Sequence, residues 1–127
     1  MPTRTKFELK SGMATREAFG RTLAQLGHEN RDIVVCDADL SKSTMTTFFA
    51  LAFPDRFFSC GIAEANMVAI GAGLASAGKI PFVSSFSCFV MNKGFEQLRV
   101  CAAYPNVNLK VGARTAASPS AKTAPRR

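Results

Sequence analysis

Tryptophan is absent from this chain, and histidine and tyrosine occur once each, as His28 and Tyr104. No HExxH, GxGxxG or phosphate-loop pattern occurs, so simple zincin and nucleotide-loop readings lack support. The four cysteines, Cys36, Cys60, Cys88 and Cys101, form no CxxC pair. Scattered thiols of this kind read as buried and free in a reducing cytoplasm, not as a metal or redox framework. No apolar run reaches the ~20 residues of a membrane span, and the opening MPTRTKFELKSGMATREAFG holds no signal-peptide core. The expectation is a cytoplasmic protein that meets no membrane.

Acidic residues are also missing from one region. All nine Asp and Glu fall within residues 1–112, beside twelve of the sixteen Lys and Arg. Residues 113–127 hold Arg114, Lys122, Arg126 and Arg127 and no acid. The net charge of +7 is therefore largely a property of the tail. A basic total invites a nucleic-acid reading, but the body of the chain has an ordinary balance and excludes that class.

What is present is 47% hydrophobic and 20% charged, a globular composition, in a length that suits one domain with a modest core. Residues 14–29 predict an amphipathic helix, with Thr15 as N-cap, Ala18, Phe19, Thr22, Leu23 and Leu26 as its apolar stripe, and Gly27 near its end. DIVVCDADL (32–40) predicts a buried strand ending in carboxylates. A short helix follows at 43–53, then a short strand at 56–61. Residues 64–78 predict a helix whose Gly71, Ala72, Gly73, Ala75 and Ala77 let it lie close to a neighbour. A strand running into a turn is expected at 80–89, a helix at 92–104 and a last strand at 107–111. Strands alternating with helices imply right-handed crossovers and a mostly parallel sheet covered on both faces, a three-layer α/β/α domain. In such sheets ligands sit at the carboxyl ends of the strands. The tail, GARTAASPSAKTAPRR, has no aromatic residue and no periodicity, and reads as disordered.

Three features carry possible chemistry. Glu64 opens a helix among small and apolar residues. A carboxyl in such a pocket favours its neutral form and can give or share a proton; the plainer reading is a helix N-terminal acid placed by the dipole. Phe86 and Phe89, with Phe82 nearby, could hold a flat ring or simply pack a core. Asp37 and Asp39 could bind a polar ligand or cap the following helix.

In their order, these pieces resemble a known family. The run DADLSKST…FPDRFFSCGIAEANMVAIGAGLASAGKIPFVSSFSCFVMNKGFEQLR…YPNVNLKV is similar to the pyrimidine-binding domain of transketolase-like, thiamine diphosphate-dependent enzymes. It is most similar to the C-terminal subunit of split transketolases, over residues 14–111, with 1–13 as an N-terminal extension. The resemblance implies the thiamine diphosphate-binding fold and a role for each candidate. Glu64 would hydrogen-bond N1′ of the aminopyrimidine and share a proton with it, favouring the tautomer whose 4′-nitrogen takes a proton from the thiazolium. Phe86 and Phe89 would pack on that ring. Asp39 would lie near the cofactor and the subunit interface. The whole enzyme would transfer a two-carbon ketol unit between sugar phosphates. A 1-deoxyxylulose-5-phosphate synthase, or the beta chain of a 2-oxoacid dehydrogenase, is the neighbouring reading. A noncatalytic remnant or partner-pairing domain is the reading from another class.

The chain also departs from the family. It has no GDG motif, which in the family binds the diphosphate through Mg²⁺ from a partner domain. An N-terminal subunit would supply that half, in a homo- or hetero-oligomer. The family's HGG…GEDG…H segment, whose histidines handle the sugar, does not follow Val111; His28 is expected on the surface. With GC-rich codons chosen for Val111–Arg126, one inserted T after the fourth base converts the reading to VVGAHGGITVGEDGAS. A frameshift is therefore expected behind the tail at 112–127, and the truncated chain is expected to be inactive alone.

Overall fold

The structure, a computed structural model, describes residues 12–114. Helix α1 (Thr15–Glu29) leads to strand β1 (Ile33–Asp37). Two short helices, α2 (Ser41–Thr44) and α3 (Thr47–Ala52), and a 3₁₀ turn at Pro54–Arg56 connect to β2 (Phe57–Ser59). Helix α4 (Glu64–Ser76) crosses to β3 (Ile80–Phe86). Helix α5 (Ser87–Lys93), the single turn α6 (Phe95–Gln97) and a π-helical run (Leu98–Ala103) lead to β4 (Lys110–Arg114).

The four strands are parallel in the order β2-β1-β3-β4. Alternation along β1 separates two cores. Ile33 and Val35 face Leu23 of α1 and Phe49 of α3, with Phe19, Phe53 and Phe82 alongside. Cys36 faces the other way, to Met67 and Val68 of α4, Val83 of β3 and Val90 of α5. Both sheet faces are thus covered, as the three-layer expectation requires. Each large apolar side chain fully buried this way contributes about 1.5–3 kcal/mol. Gly71 is what brings α4 down onto β3, because a Cβ there would lie 2.5 Å from Val83 Cγ1.

Several local expectations change. Thr15 is the first helical residue of α1 and makes no cap; Ala14 holds the cap position. Gly27 does not end α1 but is buried within it, where a Cβ would meet Phe49 and Phe53. The helix expected at 43–53 is broken at Met45, which takes a left-handed φ of 64°. The break has a cause: Thr44 and Thr46, on either side of it, both turn their hydroxyls to the Asp37 carboxylate. The third strand stops at Phe86, so Phe89 stands on α5 rather than in a strand or turn. The last strand begins later than expected and runs to Arg114, so 112–114, assigned to the tail, pair with β3. The remaining tail residues lie outside the described residues. Of the thiols, Cys36 is buried but Cys88 is exposed.

Candidate functional site

The register aligns Ser59, Asp37, Ser84 and Gly112 in one row across the sheet. Asp39, Glu64, Phe86 and Phe89 lie past that row, at the carboxyl ends of the strands, and Asp37 is in the row itself. The chain leaves β1 for β2 on one side and reaches β3 on the other, so the crevice beyond β1 and β3 is a topological switch point.

Glu64 reaches this edge through a tight turn. Gly61 takes a φ of 70°, a conformation open to glycine, and lets the chain leave β2 and enter α4. Glu64 is the first residue of α4, yet it is only 1% exposed. It is therefore no ordinary surface acid at a helix start. Ser85, pointing to the α4 face of β3, donates from its Oγ to Glu64 Oε1 at 3.3 Å. Oε2 is buried without a hydrogen-bond partner among the described residues. Lys93 Nζ stands 3.5 Å from it, near enough for charge attraction but not placed as a hydrogen-bond donor. A buried acceptor left open costs about 1–3 kcal/mol, which a ligand N–H or a shared proton would recover.

Phe86 and Phe89 stack with centroids 5.7 Å apart and planes at 29°. That is less than the roughly 7 Å needed to insert a third ring between them. The pair forms one wall with an exposed side, not two jaws. Phe82 is not part of it; it packs in the opposite core with Leu23 and Phe49.

The two aspartates separate. Asp37 is buried and accepts from Leu40 N at 2.6 Å, Thr44 Oγ1 at 2.8 Å and Thr46 Oγ1 at 2.9 Å. It is an internal tie for the loop after β1. Burial pushes its carboxyl above the ordinary range, against the pull of those three bonds. Asp39 is exposed in the left-handed region with a φ of 63°, at the same edge of the sheet. His28 is exposed on α1, edge-on to Phe53.

Sequence reasoning missed Arg56. Its guanidinium donates to the carbonyls of Gly27 (2.9 Å), Asn30 (3.1 Å) and Ile33 (3.3 Å) and lies 4.0 Å from the Phe53 ring centre. It fastens the end of α1 to β1 at the amino-terminal edge, far from Glu64 along the strands. A cavity of about 500 Å³ beside it is lined by Gly27, His28, Arg31 and Asp55. The repeated aromatics around FPDRFF were the available signal, since a guanidinium stacks on such rings.

The profile of the family described as "Transketolase, pyrimidine binding domain" matches residues 11–122. The chain belongs to that family. It is 50% identical over 96 residues to a Methanocaldococcus jannaschii protein whose name marks it as a transketolase C-terminal section, covering 76% of this chain and 30% of that protein. It is 40% identical over 111 residues to human transketolase, covering 86% of this chain and 18% of the enzyme. A solved structure described as "Split gene transketolase, inactive beta4 tetramer" superposes with a TM-score of 0.72 at 54% identity, over 80% of this chain and 34% of that one. The chain thus spans about a third or less of these relatives' lengths. As a member of the transketolase family it carries the four-stranded parallel core of the pyrimidine-binding domain. No helix among the described residues is long and apolar enough to cross a membrane.

Proposed function

We propose that the chain supplies the aminopyrimidine-binding half of a thiamine diphosphate site, in a transketolase completed by a second chain. The observation that carries this reading is the open Oε2 of a fully buried Glu64, which Lys93 links to Phe89 of the Phe86–Phe89 wall. Glu64 would exchange a proton at Oε2 with the ring nitrogen. Ser85 would hold Oε1 and so fix the carboxyl plane. Phe86 and Phe89 would cover one face of the ring and keep water from it. Asp39, exposed at the same edge, would face the cofactor region or the adjoining subunit. Among the described residues no group of three or more His, Cys, Asp or Glu could hold a metal. Mg²⁺ and the diphosphate are assigned to an N-terminal subunit, and the pair to the cytoplasm. When bound, the cofactor supplies an acidic carbon that adds to ketose carbonyls, giving two-carbon transfer between sugar phosphates.

The test is glycolaldehyde transfer by this chain mixed with the diphosphate-binding subunit of a split transketolase. Glu64→Gln keeps the shape and loses the proton exchange. The expected loss is about 10²–10⁴-fold, the usual share of a positioned acid–base group. Full activity of Glu64→Gln in that mixture, or transfer by this chain alone, overturns the reading. The similar proteins are transketolases, which favours that activity over the synthase and 2-oxoacid dehydrogenase alternatives.

A second reading is a noncatalytic, self-paired form. Met91, Phe95, Val100 and Tyr104 are 52%, 53%, 50% and 91% exposed, and the related split-gene transketolase structure is described as an inactive tetramer of that protein. The tail is read as out of frame. Resequencing the codons for Asn108–Arg127 tests this: an extra base restoring HGGITVGEDGAS supports it, and an unchanged frame rejects it.

A further inference from the structure

Among the described residues, Glu64 Oε2 pairs with one charged side chain, and it comes from a different helix. Lys93 ends α5, and its Nζ lies 3.5 Å from Oε2 and 4.9 Å from the Phe89 ring centre. Phe89 in turn stacks on Phe86. The ammonium therefore touches the same carboxyl and the same aromatic wall that the proposed function assigns to a flat ring. The backbone keeps it there. Gly94 is buried, and a Cβ on it would lie 3.0 Å from Val90 O, 3.2 Å from Val68 Cγ2 and 3.5 Å from Glu64 O. A side chain here would crowd Val68 and the start of α4, so glycine suits the close approach of the end of α5 to α4. The Lys93 side chain is nonetheless 51% exposed, so it can swing out to water without disturbing the core.

We propose that Lys93 is a built-in occupant of the site. In the ligand-free chain its ammonium balances the buried Glu64 carboxylate and covers Phe89. Binding of the ring is then a displacement, in which Lys93 returns to solvent and the ring takes its place. This rests on the aminopyrimidine reading. A half-exposed ion pair and a cation over a ring are each weak, so the occupant guards the pocket without closing it. Lys93 thereby lowers affinity and, in the empty chain, spares Glu64 an uncompensated buried charge.

The test uses the full chain and 4-amino-5-hydroxymethyl-2-methylpyrimidine, an uncharged probe with no phosphate for Lys93 to attract. Lys93→Met should bind the probe roughly three- to tenfold more tightly than the wild type, while its urea midpoint falls. Lys93→Arg should bind as the wild type does. A residue that merely supports the fold would lose stability and affinity together, so Lys93→Met binding equally or more weakly overturns the proposal. A second measurement needs no variant: probe saturation should speed acetylation of the Lys93 amine, and protection of that amine overturns the displacement. If the wild type and Lys93→Met both ignore the probe at millimolar concentration, as Glu64→Gln does, the proposal falls together with the aminopyrimidine reading. Binding by the wild type without tightening in Lys93→Met sinks the proposal alone.

Discussion

Cys36 and Cys88 share a side chain and sit in opposite surroundings. Burial, aided by the neighbouring Cys60 and Asp37, pushes the Cys36 thiol up to about 12, while Cys88 is exposed at the start of α5. Since the thiolate is the reactive form, iodoacetamide should label Cys88 first and Cys36 only after unfolding, which mass spectrometry of partly labelled chain would show. Gly20 invites a second prediction. An added Cβ would overlap Met45 backbone and side chain, so Gly20→Ala should destabilise by about 1–3 kcal/mol in spite of a helix-propensity gain of ~1 kcal/mol; urea titration reads the difference. The sequence made the polarity of such positions legible but not their neighbours. Glu64 stood out because a lone charge opens an apolar helix, and so did Phe86 and Phe89. The contacts of Gly20 and Gly27, and that of Lys93 with Glu64, are made by residues distant in sequence, and no local pattern announces them.

The loop after β1 shows how one buried carboxylate overrides helix propensity. Thr44 and Thr46 satisfy Asp37, Met45 between them turns left-handed, and a run that looks like one helix becomes two. Thr46→Val removes one hydrogen bond to a buried charge and should cost about 1.5–3 kcal/mol at neutral pH, measured as a shift in the denaturation midpoint. The pH dependence has a definite sign. Burial raises the folded-state value of Asp37 above its ordinary 3.8, so between the two values the folded chain binds more protons than the unfolded one. Asp37 should therefore lower stability as pH rises from about 3.8 through its folded-state value. Asp37→Asn should remove that slope, seen as a flatter curve of urea midpoint against pH. Periodicity located β1, α1 and α4 well because each has a clear apolar pattern. It missed the change from strand to helix at Ser87, because SSFSCFV fits either period and only packing on α4 decides.

At the scale of the molecule, parallel order and doubly covered faces followed from alternating elements, and the switch point put the candidate residues on one edge. Exposed apolar side chains gather along α5, α6 and the π-helical run, where Met91, Phe95 and Val100 are half or more exposed. Such a patch favours association. Sedimentation should show assembly that grows with concentration, and Phe95→Lys should weaken it; if Val111→Lys weakens it instead, the β4 edge is the contact. The Arg56 clamp has a different kind of consequence. The FPDRFF stretch is scaffolding at one end of the sheet, where Arg56 ties the end of α1 to β1, while Glu64 and its open oxygen stand at the other. Two neighbouring stretches of sequence thus serve opposite edges of the sheet. On the proposed reading, a descendant with glutamine for Glu64 would keep the clamp and the fold it secures, and have no proton to offer.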